Sequence, residues 1–572
     1  MRKISKYIIG ALITGVLAYT SCETLELDLT ENPNALVPEQ ANVNFFLNSI
    51  QEDFIRHIDG DADFDLNDNF VSGGITNGDG LSNIGLELTR LDNMNGRQYV
   101  SAYQGSDFND EWDNAYRGIL ADIRAMTPLA EAAGQFRHIA IAQVIEAYVM
   151  VSMVDFFGDV PYSEAFQGFD NLNPTVDSGA SIYAAALNLL DQAVVNFQNE
   201  TPEESEPVAI DLYYQRDYEA WIRAVNTLRM KIYLQTRLVD NAALDNFNAI
   251  VNAGNYITSS DQDFQFNWPA TSSSNPDTRH PRYGLNYQAA GAGDYLSNWF
   301  MNLLDATGDP RVRYYLYRQT AAVPGAEIDP DEELLSCSLE EAPTHYIDGG
   351  FTFCYLNNGY WGRDHGDTDG APPDGLLKTT YGVYPYGGRF DDDSFEAIAP
   401  GDGGGGRGIT PILTAFLVDF MIAEAAMVEG DLAAAEAAML EGISKSIAKV
   451  QSFGSLDPNA DQSFAPTAAY INTYINDVQT AFTAADMNGK WNILAEQYFI
   501  ANFGNGIETY NFYRRTGFPT TLQPNLEPDP GQFIRSLFYP VNAVNTNSGI
   551  SQKSDQVQPV FWDNNPTGPA AN

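Results

Sequence analysis

Between Ile139 and Phe157 the chain is apolar on nearly every side of a helix: Ile139, Ile141, Val144, Ile145, Tyr148, Val149, Val151, Met153, Val154, Phe156 and Phe157 leave little room for a solvent stripe. A helix apolar all round must be wrapped by other elements. Gly158 follows, suited to a left-handed cap, and Pro161 prevents the helix from resuming. The stretch therefore predicts a long central helix stopped by a tight turn, inside a protein large enough to bury it. With 44% of 572 residues apolar and 12% aromatic, the chain has the material for such a core and is not a disordered one.

Most of the remainder reads as helix. Ala41–Arg56 is the first, followed by Asp107–Ala133, where Trp112, Tyr116, Ile119 and Ile123 recur at three- and four-residue steps. Ser181–Phe197 has the same periodicity, with Ser181 as its N-cap, and Tyr218–Val239 continues it. Pro411–Val428 and the Ala-rich Leu432–Val450 form a hairpin around Gly430–Asp431, and Lys490–Phe503 is the last clear helix. Two stretches, at about 59–106 and 259–407, read as long irregular loops rich in Gly, Asn, Asp and aromatic residues, and Gly403–Gly406 reads as a flexible connector.

At the N-terminus, Arg2, Lys3 and Lys6 precede an apolar run, Tyr7–Tyr19, which ends at Thr20-Ser21-Cys22. This is the order of a secretory signal, too short to span a bilayer comfortably. Cys22 stands where a bacterial lipoprotein is acylated, and the acidic residues Glu23, Glu26 and Asp28 resemble a surface-export signal. Tyr19 stands where such signals usually carry Leu, so an ordinary secreted protein with a chance Cys22 is the alternative. On the lipoprotein reading, residues 1–21 are removed and 22–572 form a single domain held by its acyl chains. No second apolar run has membrane-spanning length.

The formal net charge of −46 repels phosphate backbones, so nucleic acid is excluded as a partner, and strongly anionic glycans are disfavoured unless a pocket is locally basic. Cys337 and Cys354 can form a disulfide in an oxidising compartment, although their spacing alone leaves the pairing open. Two cysteines with no His at ligand spacing make no zinc site. Asp59, Asp61, Asp63 and Asp65 alternate as calcium ligands can, but no Gly follows at the sixth position and Phe70 takes the place of a terminal Glu. Asp364, Asp367 and Asp369 share that limitation, so neither a metal nor another cofactor is expected.

Sugars bind by stacking a C–H face on an aromatic ring while amides, carboxylates and guanidinium groups take the hydroxyls. Such residues belong on loops over a rigid scaffold. One candidate cluster is Arg97, Tyr99 and Tyr103, with Arg90, Asn93 and Asn95 beside them. The other comprises Trp268, Arg279, Tyr283 and Trp299, then Tyr360, Trp361 and Arg363, with Tyr384 and Tyr386 following. No G-x-S-x-G, H-E-x-x-H or phosphate-cradling loop is present, and five His leave few neutral-pH acid–base groups. A glycoside hydrolase, needing only two placed carboxylates, stays open as an alternative.

Several segments, in order, resemble the SusD/RagB family of outer-membrane nutrient-binding lipoproteins: LTENPN (Leu29–Asn34), Trp112 with Tyr116 and Ile119, VDFFGDVPYSEAF (Val154–Phe166), and Trp221 with AVNTLRMKIYLQTRL (Ala224–Leu238). FMIAEAAMVEGD (Phe420–Asp431), EQYFIANFGNGIETYNFYRRTGFP (Glu496–Pro519) and FIRSLFYP (Phe533–Pro540) complete the series, while NPDTRHPRY (Asn275–Tyr283) and GYWGRDHGD (Gly359–Asp367) resemble one branch. The resemblance implies a mainly α fold: a tetratricopeptide-like scaffold of helical pairs, with long irregular loops forming a ligand-binding face. It also implies a non-enzymatic, surface-facing outer-membrane lipoprotein. Such a protein binds an oligosaccharide, or in some members a peptide, and delivers it to a SusC-like TonB-dependent transporter, over which it closes as a lid. Trp112 and Trp221 are expected in the core, and Arg514 and Arg515 paired with acidic helix ends.

Overall fold

The apolar run forms the 22-residue helix Phe136–Phe157, ended by Gly158 at φ 77° and ψ −130°. The cap is thus more extended than the expected left-handed one, but its positive φ still favours glycine. By length and hydropathy this helix could cross a bilayer; instead its whole apolar window is buried against other elements. The computed structural model describes residues 42–60, 80–94, 96–199, 209–270, 277–321, 336–368 and 377–565. From Val43 onward they belong to one compact unit. Cys22 and the signal segment, LTENPN, Asp61 to Phe70, Asn95, Asn275 and Asp369 lie outside the described residues.

In chain order the frame helices are α1 (Val43–Asp59), α2 (Gly80–Leu88), α3 (Ala121–Ala133), α4 (Phe136–Phe157), α5 (Gly179–Phe197), α6 (Tyr218–Thr236) and α7 (Ala243–Ala253). They continue with α8 (Asn298–Thr307), α9 (Ala415–Glu429), α10 (Leu432–Ser452), α11 (Ala468–Ala484), α12 (Met487–Ala501) and α13 (Gly506–Thr516). Sequence neighbours pack as pairs, α4 on α5, α6 on α7, α9 on α10 and α11 on α12, in the expected mainly α, tetratricopeptide-like manner. The α9–α10 turn shows how locally this is specified. Gly430 takes a left-handed φ of 80°, and the Asp431 carboxylate then caps α10 by accepting from Ala434 N at 3.0 Å.

Several boundaries differ from the sequence reading. Asp107–Ala133 is not one α-helix: a 3-10 turn (Gly105–Phe108), a short α segment (Asn109–Asp113) and a π-helical run (Asn114–Leu120) lead into α3. Ser178, not Ser181, caps α5, its hydroxyl accepting from Ser181 N at 3.3 Å. Pro411 sits in a strand, β2 (Ile409–Leu413), paired antiparallel with β1 (Phe264–Asn267), and α9 begins only after the Thr414 cap. Because β2 has a single pairing partner, the missing N–H of Pro411 costs little there. Gly403–Gly406 is a packed turn, not a flexible connector: Gly404 N and Gly406 N donate to the carbonyls of Gly388 and Gly387 at 3.0 and 3.1 Å.

The stretches read as irregular also hold helices, α2 and α8. Helix α2 packs on α13 so closely that a Cβ on Gly85 would lie 2.1 Å from Gly506 O. Helix α13, beyond the last helix read from periodicity, conceals its pattern because its polar residues are buried too: Glu508, Thr509, Asn511, Arg514 and Arg515. Arg515 forms a two-pronged ion pair with Glu424 at 2.7 and 2.8 Å. Arg514 donates to the carbonyls of Asp155 and Arg535 at 2.6 and 2.7 Å. Trp112 and Trp221 are core residues.

Candidate functional site

Strand β1 ends in an alternating row, Phe264, Phe266 and Trp268. Phe264 points into the core, while the next two rings are half-buried beside a cavity of about 330 Å3. The Trp268 backbone N–H extends the β1–β2 ladder to Gly408 O at 2.9 Å. Its indole N–H donates to Thr410 Oγ1 at 2.8 Å, and Thr410 in turn donates to Asp59. This relay fixes the plane of the indole and leaves its ring as cavity wall. Asp59, a calcium candidate in the sequence, is thereby occupied, and its Oδ2 also lies 3.4 Å from His280 Nε2. Burial lowers the His280 pKa below its usual value, so the imidazole is neutral at pH 7.

The facing wall comes from α1, whose Asn48, Glu52, Ile55 and Arg56 fall on one side at helical spacing. Glu52 and Arg56 form an i,i+4 ion pair at 2.9 Å. Asn48 Oδ1 is buried with no hydrogen-bond partner among the described residues. On the third side Arg279 is gripped by Asp277, its Nε donating at 2.9 and 3.0 Å, and its guanidinium lies 5.5 Å from the Tyr283 ring centre. The Asp277 hydrogen bond raises the Arg279 pKa above its ordinary value, so the guanidinium stays charged. The cavity thus combines aromatic walls with an amide, two carboxylates and two guanidinium groups, the set that can stack a sugar ring and take its hydroxyls.

Of the ten loop residues singled out in the sequence, Trp268 and Arg279 meet in this cavity. The other aromatic candidates pack the loops down. Tyr99 and Tyr103 are buried, the first accepting from Arg90 Nη2 at 3.0 Å and the second donating to Glu87 at 2.5 Å. Tyr283 is buried in a stack with Tyr287, ring centres 4.4 Å apart. Trp299 donates to Thr521 O at 2.8 Å and borders a separate cavity, and Tyr360 borders a third beneath Arg318. Trp361 packs on the Cys337–Cys354 disulfide, whose Cα atoms are 5.5 Å apart. Arg363 is buried 4.1 Å from the Tyr295 ring centre, Tyr384 and Tyr386 are buried, and Arg97 is exposed in an ion pair with Glu527 at 3.2 Å. The sequence reading passed over Asn48, Glu52 and Arg56, whose signal was the four-residue spacing of planar polar groups along the far side of an amphipathic helix.

No curated relative matches the chain. The family model described as "Starch-binding associating with outer membrane", SusD-like, matches residues 82–327 and 382–540. Among solved structures, the fold is similar to a chitin-binding protein at 20% identity (TM-score 0.60, covering 92% of this chain and 100% of that one). It is similar to a SusD/RagB family protein from Bacteroides thetaiotaomicron at 18% identity (TM-score 0.59, 92% and 99%). A chitin-binding SusD homolog from Flavobacterium johnsoniae matches at 16% identity (TM-score 0.57, 92% and 98%). At these identities the structures establish the shared fold, while the family pattern runs through most of the sequence. The chain belongs to the SusD-like family, whose model is described as starch-binding and associated with the outer membrane.

Proposed function

We propose that this protein is a cell-surface receptor that binds a neutral oligosaccharide in the Trp268 cavity and passes it to a SusC-like TonB-dependent transporter, with acylated Cys22 as its tether. The observation that carries the binding site is the convergence of the half-buried Phe266 and Trp268 rings with Asn48, Glu52, Arg56 and Arg279 around one cavity. The acidic body favours neutral over anionic glycans. Transporter delivery and the lipid tether rest on family membership and on the residues around Cys22. The role needs no bond-breaking step.

Calorimetry of the form lacking residues 1–22 against a panel of polysaccharides, with product analysis on the same mixtures, tests this. Saturable binding without new reducing ends is expected, and Trp268→Ala should weaken it about tenfold, or ~1.4 kcal/mol. Asn48→Ala should weaken binding several-fold while leaving the unfolding midpoint unchanged or higher. Release of short products would replace the receptor with a hydrolase, and binding confined to peptides would move the ligand class.

A further inference from the structure

Three of the non-glycine residues with positive φ, Asn358 at 65°, Asp393 at 61° and Phe395 at 52°, line a single cavity of about 490 Å3. It shares no lining residue with the Trp268 cavity. A left-handed backbone is disfavoured for any side chain with a Cβ and most of all for a bulky ring, and such residues gather at ligand clamps. Here they are held by charge. Arg318 donates to Asp391 Oδ2 at 2.7 Å, to Asn358 O at 2.9 Å and to Asp393, with its guanidinium 5.0 Å from the ring centres of both Tyr360 and Phe395. Arg313 grips Asp393 from another side at 2.9 and 3.2 Å.

The two arginines and two aspartates balance, so this lattice presents no net positive field to an anion, and the exposed Asp305 in the same wall adds a negative charge. Facing the space are the half-exposed Phe395 ring and the Tyr470 ring, 48% exposed yet pinned by its hydroxyl to Gly308 O at 2.7 Å. An anion is repelled here, and a purely apolar ligand would strip water from the exposed Asp305 carboxylate without replacing its hydrogen bonds. A ring with one C–H face and several hydroxyls satisfies both parts.

We propose that this cavity is a second saccharide subsite, taking a neutral sugar ring on Phe395 with hydroxyls donating to Asp305 and Asp393. The proposal rests on the receptor reading above and adds a site to it. The test is calorimetric stoichiometry of the form lacking residues 1–22 with neutral oligosaccharides from starch, chitin, xylan and mannan. Wild type would be compared with Trp268→Ala, Phe395→Ala and Asp305→Asn; the last changes an exposed side chain and keeps the fold. Two binding events are expected, one weakened at least fivefold by Phe395→Ala and by Asp305→Asn, the other by Trp268→Ala alone. A single event that responds only to Trp268→Ala would overturn the second subsite and leave the receptor intact. Silence toward every probe would overturn both.

Discussion

Asp155 closes the central helix α4 and holds three distant parts of the chain together. Its carboxylate accepts from Tyr183 on α5, from Asn511 Nδ2 on α13 at 2.7 Å and from Trp562 Nε1 near the C-terminus at 2.9 Å, with Lys231 Nζ on α6 3.9 Å away. The turn segment around it is thus a junction of the scaffold, where four elements are tied to one carboxylate. Asp155→Ala would strand a buried indole N–H and an amide and leave Lys231 with Glu508 alone. The expected loss is about 3–5 kcal/mol in urea denaturation, and a loss below ~1 kcal/mol would contradict the role. Asp53 on α1 behaves oppositely, because burial pushes its carboxyl up to about 7. The folded state then keeps a proton that the unfolded chain has released, so this group makes stability fall as pH rises from about 4 to about 7. Asp53→Asn should flatten that slope and raise the melting temperature at pH 8, while leaving it nearly unchanged at pH 3.5. At this scale the sequence disclosed which residues were aromatic or charged; whether Trp361 faced solvent or the disulfide depended on contacts with residues far along the chain.

Elements were legible where their pattern was local. Helices α4, α5, α6, α9 and α10 have apolar positions at helical spacing, and the α9–α10 turn has its glycine and its cap in adjacent positions. Helix α13 was illegible because its Glu, Thr, Asn and Arg are buried alongside Ile507, Tyr510, Phe512 and Tyr513, so no polar stripe marks a solvent face. Likewise, Pro411–Leu413 of β2 was read as the start of a helix because its residues are buried on both faces, which periodicity cannot tell from a helix segment. The glycine-rich turn before β2 bears directly on the site. Gly406 has φ 79°, and a Cβ there would lie 2.8 Å from both Arg279 Cβ and Tyr283 Cδ1. Gly406→Ala should therefore cost about 1–3 kcal/mol and also weaken ligand binding by displacing Arg279. Thermal unfolding and calorimetry on the same sample would check both effects, and unchanged affinity would detach Arg279 from the site.

For the molecule as a whole, the strong negative charge and the N-terminal signature bear on where the protein works. Cys22→Ala should move it from the membrane fraction to the soluble fraction after fractionation; persistent membrane attachment would count against the lipid tether. The sequence by itself determined that a fully apolar helix had to be enclosed, that helical pairs would enclose it and, through ordered motifs, which family the chain joins. The apolar periodicity is short-range, so physics reads it without knowing the fold, whereas the helical pairs and the family followed from the resemblance of motifs in order. Only the tertiary structure decided which aromatic residues are walls and which are core, since a loop of more than a hundred residues must build its own packed interior and uses most of its rings to do so. It also decided that a polar face of α1, distant in sequence, would meet Trp268 across the cavity, because burial and convergence are set by contacts between segments and not by the composition of any one of them.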